Sequence, residues 1–392
     1  MVTLGIVSDI HYAGAAERAR GNDYEIRGLA NPLLRLFVRG HRHFVWKRDP
    51  LNQNHLLDGF LATVQAAGQA HLGGTTGPRA VLGSQRPRMQ GCAQTDSRPP
   101  ARPDTLRAED GSRSGSWAAS GAVAVLSRCA PAPLPLDFVV ANGDYSCNSA
   151  FVGVSDDAAC QSASECLGKL REKFGANFRA TYGDHELGKL SFFGGLGGMR
   201  LESWRRAREE LKLQPFWQLQ IGKYVLIGVV SSLIALPIFE PDTLPAERPQ
   251  WERLRVEHLT EIQEAFAALH PEQRVLLFCH DPTALPFLWR DEIIRSRLPQ
   301  IEQTIIGHLH SNLILWKSRL LAGMPRITFL GNTSRKLSAA LHEARHWRAF
   351  NLRLCPALGG IELLKDGGYL TAQLDPDARR PARFEFHRLA RG

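Results

Sequence analysis

The chain has 392 residues, 44% of them hydrophobic and 22% charged, with a formal net charge of +9. These values fit a soluble globular protein of one large or two modest domains, with a core that does not depend on disulfides. Seven cysteines without a Cys-x-x-Cys pair argue against a structural zinc knuckle and fit reduced thiols in a cytoplasmic protein.

From the N-terminus, Met1 leads into a strand over Leu4–Ser8, which leaves no room for a secretory signal; the strand ends at Asp9-Ile10-His11. Leu33–Lys47 mixes Leu33, Leu36, Phe37 and Trp46 with Arg35, Arg39, Arg42 and Lys47. Such a basic amphipathic segment either packs its apolar side on the domain, the favoured reading, or contacts an anionic membrane or lipid-like substrate. A helix is expected over Leu56–Gln69, with Leu57, Leu61 and Val64 on one face. Asn54 and His55 before it are candidates near a pocket, though capping and surface roles are favoured.

His71–Pro135 breaks the pattern. Its 65 residues hold 8 Gly, 8 Pro, 7 Ser and 8 Arg, so ordering it would cost backbone entropy with little burial in return. It reads as a disordered insert within a single domain spanning 1–392; a linker between domains and a misread stretch of the gene are the alternatives. Its eight arginines face four acids, close to half of the net charge, which weakens the global charge as a sign of an anionic partner.

After the insert, Phe138–Ala141 reads as a strand before Gly143-Asp144, and Ala158–Phe174 as an amphipathic helix. Gly183-Asp184-His185-Glu186 follows, then a glycine-rich loop over Gly194–Gly198 and a basic helix over Leu201–Leu211. The longest apolar stretch, Leu219–Phe239, contains Lys223 and Pro237 and reads as a buried strand, Tyr224–Val230, rather than a transmembrane span. A long helix is expected over Pro249–Leu269, then a strand Val275–Cys279 ending at His280, and a strand through Ile305-Ile306 ending at Gly307-His308-Leu309-His310. Strands are expected thereafter at Leu313–Lys317, Arg326–Leu330, Ala349–Leu354, Gly360–Leu364, Tyr369–Leu374 and Arg383–Leu389. Interleaved strands and helices followed by antiparallel-looking strands predict a layered α/β domain with mixed sheets.

Taken singly, Asp-x-His or a lone His280 is more often a satisfied structural group than a ligand. In order, and with the first, second, fourth and fifth at the carboxyl ends of apolar strands, the five segments point to one crevice. Their oxygen and imidazole donors suit Mn, Fe or Zn. No phosphate-binding lysine loop, nucleophile elbow or dinucleotide fingerprint offers competing chemistry.

The ordered set Asp9-x-His11, Gly143-Asp144, Gly183-Asp184-His185-Glu186, His280 and Gly307-His308-x-His310 resembles the calcineurin-like metallophosphoesterase family, from Leu4 to about Asn332. The resemblance implies a sandwich of two mixed sheets flanked by helices and two divalent metal ions. It implies that Asp9, His11 and His310 hold one metal, Asp184, His280 and His308 the other, and that Asp144 bridges them. His185 would donate a proton or hydrogen bond to the leaving oxygen, and Glu186 could orient its ring. The reaction implied is hydrolysis of a phosphate monoester, diester or nucleotide-type pyrophosphate by a metal-bridging hydroxide. Asn332 and Arg335 are candidates for substrate contact in a polar turn after a strand. Asp184 departs from the family's asparagine, which adds negative charge near an anionic substrate and removes an amide donor. Two alternatives stay open: a metal-binding scaffold or regulatory protein of the same fold with weak or no turnover, and a nuclease, ranked lower for want of an aromatic-plus-basic groove.

Overall fold

In a computed structural model, residues 1–41, 50–72, 135–191, 195–329, 331–361 and 364–389 are described. Among the described residues, ten strands make two five-stranded mixed sheets. The first holds β1 (Val2–Val7), β2 (Phe138–Ala141), β3 (Phe178–Ala180), β9 (Gly368–Leu374) and β10 (Arg383–Arg388), in the order β10-β9-β1-β2-β3. The second holds β4 (Trp217–Ile221), β5 (Tyr224–Val229), β6 (Arg274–Cys279), β7 (Ile301–Ile306) and β8 (Leu352–Leu354), in sequence order. β1, β2 and β3 run parallel, as do β5 through β8; β9 pairs antiparallel with β1 and with the edge strand β10, and the edge strand β4 pairs antiparallel with β5.

Alternation along each strand decides the layering. Leu4 and Ile6 of β1, Leu226 of β5, Leu276 and Phe278 of β6, and Leu370 and Ala372 of β9 share one core, which places it between the two sheets. The alternate residues face helices. Val7, Val139 and Ala141 pack with Leu57 and Phe60 of α2 (Asn54–Leu72), Cys166 and Leu170 of α3 (Asp157–Phe174), and Trp204 of α4 (Leu201–Glu209). Val225, Ile227, Val275 and Leu277 pack with Ile262 and Phe266 of α5 (Arg248–Ala267). The central strands are buried on both faces, which is why their sequences read as continuous apolar runs. Truncating Phe278 there would cost about 3–5 kcal/mol.

Local chemistry sets the helix ends. Asp156 caps α3 by accepting from Ala159 N (3.0 Å), and α5 has Pro249 in its first turn, where a missing N–H is harmless. Residues on both sides of the long insert, Met1–His71 and Pro133–Gly392, belong to one compact unit; residues 73–134 of the insert lie outside the described residues.

Several expectations are corrected, and of the expected strand Arg326–Leu330 the residues Arg326–Phe329 form no strand. Leu313–Lys317 is not a strand but part of helix α6 (Asn312–Leu320), and the Gly331–Arg335 turn is the start of helix α7 (Gly331–Glu343). The Leu313–Lys317 run is short enough to suit either structure, and the Ser311 side chain, accepting from Leu313 N, starts the helix. The Ala349–Leu354 strand shortens to β8 because a 3-10 helix runs through Phe350. Finally, α1 (Pro32–His41) buries Val38 against Ile26 and Leu29 but leaves Leu33 76% and Phe37 69% exposed, so most of its apolar side does not pack on the domain; residues 42–49 lie outside the described residues. Among the described residues no helix is long and apolar enough to cross a membrane.

Candidate metal centre

Four parallel strands end at one place. Beyond β1 and β2 the chain keeps the strands' register: Asp9 N donates to Gly143 O (3.1 Å), His11 N to Asp144 O (3.0 Å) and Tyr12 N to Tyr145 O (2.8 Å). In the other sheet Gly307 N donates to His280 O (2.9 Å), and His308 N crosses to Asp9 Oδ1 (3.0 Å), tying the two sheets together. The backbone is bent sharply here. Asp9, His11, Asp144, His308 and His310 all have φ between 49° and 60°, the left-handed region that costs a residue with a Cβ roughly 1–2 kcal/mol. Such strain clusters where side chains must be aimed rather than merely packed. Two glycines are required by close approach. Gly143 has φ +91° and a Cβ on it would lie 2.6 Å from Gly183 Cα; a Cβ on Gly307 would strike Ser8 Oγ and Asp9 Oδ2.

The side chains so aimed converge in two groups: Asp9, His11, Asp144 and His310, and Asp184, His280 and His308; within each, one donor atom per residue lies within 4.8 Å of the others. His310 Nε2 is 3.0 Å from Asp9 Oδ1 and 3.3 Å from His11 Nε2. Asp184 Oδ1 is 2.8 Å from His308 Nδ1 and 3.3 Å from His280 Nε2. The Asp144 Oδ2 atom stands between the groups, 3.9 Å from His11 Nε2 and 3.3 Å from His280 Nε2, and it has no hydrogen bond. Two donors bound about 2.1 Å from one cation stand roughly 3–3.4 Å apart, and four of these six spacings fall in that range, so the groups could hold metal ions.

Supporting groups fix the rings. His280 Nδ1 donates to Asn142 O (2.5 Å), which turns Nε2 toward the carboxylates. His185 Nδ1 donates to Ser146 O (2.9 Å), and its Nε2 lies 3.7 Å from Asp144 Oδ2. Ser8 Oγ donates to Asp9 Oδ2 (2.6 Å).

Charge is concentrated. Asp9, Asp144 and Asp184 are all buried. Burial alone would raise all three carboxyls, yet each is held below the usual carboxylate range: Asp9 by His280 and His310, Asp144 by His185 and His280, and Asp184 by Lys189 and His308. The imidazoles respond in kind. Burial disfavours their charged forms, but Asp144 and Asp9 push His280 well up, and Asp281 and Asp184 push His308 up to about 9. Protons on these rings and divalent cations compete for the same lone pairs. Three buried carboxylates with neutral imidazole donors fit cations, because buried anions persist only when paired.

All seven sequence-predicted ligands meet here, with His185 beside them. The other candidates take these places. Glu186 does not orient the His185 ring; its carboxylate accepts from Gly183 N (2.7 Å), Tyr145 N (2.8 Å) and Asp144 N (3.0 Å), holding two loops together, and burial beside Asp144 pushes it up to about 7. Asn54 grips both backbone groups of Ala13, at 2.8 and 2.7 Å, and so positions the loop after His11. His55 is exposed and holds Asn52 O (3.0 Å). Arg335 is exposed on α7, and the side chain of Asn332 lies outside the described residues. Sequence reasoning missed two groups. Lys189 Nζ lies 2.7 Å from Asp184 Oδ2, and Asp281 Oδ2, fully buried, lies 3.9 Å from His308 Nε2. A cation five residues after an unexpected acid, across one helical turn (Asp184–Leu187), was the available signal for the first.

No family model and no curated protein matches the chain.

Proposed function

We propose that the protein is a two-metal phosphoesterase of the calcineurin-like class, hydrolysing a phosphate monoester, diester or nucleotide-type pyrophosphate. The observation that carries this reading is the shared oxygen of Asp144, placed between two three-residue donor groups, with His185 at its side. Asp9, His11 and His310 would hold one ion and Asp184, His280 and His308 the other. When bound, Mn, Fe or Zn at these positions supplies Lewis acidity: it lowers the pKa of water and neutralises charge on phosphate oxygens.

The chain's own residues do the rest. The strained loops hold the donors in place before substrate arrives, so no reorganisation is needed during the reaction. His185, its Nδ1 proton kept by Ser146 O, presents Nε2 toward the crevice. Burial lowers its pKa, so a proton on Nε2 is weakly held and readily given to a leaving oxygen. Lys189 matches the charge that Asp184 adds where the family has asparagine, which keeps the second group from repelling an anionic substrate.

The test is metal content by mass spectrometry together with turnover on a panel of aryl and alkyl phosphate esters and pyrophosphates. Manganese-loaded protein is expected to carry two ions and release phosphate or alcohol. His185→Gln should keep both ions while losing roughly 10²–10⁴-fold in kcat on alkyl esters and less on aryl esters, whose leaving groups need no proton. Two bound ions with no turnover on any ester class would make it a metal-binding protein instead.

A further inference from the structure

Immediately beyond His310 the chain reverses the usual placement of side chains. α6 is capped by Ser311 and buries Leu315 against the core that holds Trp347. On its other side Leu313, Trp316 and Leu320 stand at spacings of three and four, one face of a helix. That face is open: Trp316 is 59% and Leu320 68% exposed, and Phe329 beyond the following turn is 82% exposed. The exposure does not come from a loose turn. Gly323 N donates to Leu341 O (2.9 Å), Ile327 N to Ser338 Oγ (2.8 Å), and Arg326 pairs with Glu343 (2.6 Å), so the apolar groups are carried on fixed backbone.

Positive charge lies beside them. Trp316, Leu320 and Ala322 line an open cleft of about 440 Å³ together with Arg319, Arg345 and Arg348. Among the described residues none of these three arginines pairs with a carboxylate; Arg319 donates to Leu352 O (3.2 Å) and Arg345 to His346 Nε2 (3.2 Å). Solvated arginines are ordinary singly, but three unpaired ones around a tryptophan and leucines are not.

We propose that this face docks on an anionic membrane surface, with Leu313, Trp316 and Leu320 entering the interface and Arg319, Arg345 and Arg348 meeting lipid phosphates. Each part suits that phase. Tryptophan and leucine side chains partition into the boundary between headgroups and acyl chains, and guanidinium forks match phosphate oxygens. A single-stranded nucleic acid would want several stacking faces, whereas the exposed groups on α6 are one indole and aliphatic chains. A second copy of the chain would bring two sets of unpaired arginines toward each other across a two-fold axis. The docking stands on α6 and its neighbours alone and does not depend on turnover at the metal centre.

The experiment is co-sedimentation of the full chain with phosphatidylcholine vesicles, neutral or carrying about one third phosphatidylglycerol. Binding is expected to the anionic vesicles only and to weaken with salt. Trp316→Ala combined with Leu320→Ser, and separately Arg345→Glu combined with Arg348→Glu, should each lower the bound fraction roughly tenfold with circular dichroism unchanged. Equal binding to neutral vesicles, no binding, or variants that bind like the parent would overturn the proposal. So would a nucleic-acid complex, seen by fluorescence anisotropy, or a dimer, seen by light scattering, that the same variants abolish.

Discussion

His310 and Trp316 are six residues apart and belong to opposite environments. Around His310, carboxylates and imidazoles are buried on a strained backbone; around Trp316, apolar side chains lie open on a relaxed helix. Both arrangements are unfavourable for an isolated chain. A buried carboxylate wants a counter-charge, and an exposed apolar face wants a partner phase. The contrast shows that residues in the wrong place are more informative than residues in the right one. On the readings proposed above, the two inversions ask for different things, cations in one case and an amphiphilic anionic surface in the other.

The contrast can be broken hardest at His280. Its ring is fully buried and reaches both Asp144 and Asp184, so His280→Ala should empty the second group of metal and lower kcat/KM by more than roughly 100-fold, beyond the loss typical of supporting residues. Metal content and kinetics measured on one preparation check this. Full metal occupancy in the variant would show that the group does not act as a ligand set.

Lys189 sharpens the comparison, because it is the cation at the edge of the buried centre. Lys189→Met leaves the Asp184 charge unmatched, and KM for an anionic ester is expected to rise roughly tenfold, about 1.4 kcal/mol, with metal content unchanged. Adding Asp184→Asn to that variant should recover most of the loss, since the pair is coupled. A double variant no better than the single one would mean that Lys189 acts on something other than Asp184.

The smallest effect lies at an ordinary ion pair away from both regions. Arg20 donates twice to Asp156, at 2.8 and 2.7 Å, and both side chains are partly exposed. Burial would raise the Asp156 carboxyl, but the Arg20 bonds and charge, the Ala159 N–H and Arg206 together outweigh it and hold the pKa below the ordinary value. Because the folded pKa is the lower one, the pair stabilises above the unfolded carboxyl value of about 3.9, and its contribution is lost as pH falls through the folded value. Arg20→Met should therefore cost about 1 kcal/mol at pH 7, allowing for solvent screening, and the gap between variant and parent urea midpoints should narrow below about pH 4. A gap of constant size would place the effect in packing rather than charge.

The two regions also differed in how much could be read beforehand. The buried centre was legible because every donor but Asp184 follows a strand whose two-sided burial demands an unbroken apolar run: Val275–Cys279 before His280, Phe138–Ala141 before Asp144; the short β3 before Asp184 carries no such run. The open face was not legible. Residues 313–317 are short enough to suit a strand or a helix, and only the Ser311 cap and the packing of Leu315 against the core settled it. Glu186 was misjudged for a related reason. Its neighbour in sequence is His185, but besides Gly183 N its partners are backbone amides of Tyr145 and Asp144, some forty residues earlier.

The sequence by itself determined which donors exist, which strands carry them to the sheet ends, and that an acid stands at position 184. Those are properties of short segments, set by residue type and local alternation. Only the tertiary structure decided that His11 and His310, 299 residues apart, face each other at 3.3 Å, that one oxygen of Asp144 lies between two donor groups, and that Lys189 answers Asp184. The physical reason is that convergence comes from the pairing and stacking of two sheets, and those contacts join residues that nothing local connects.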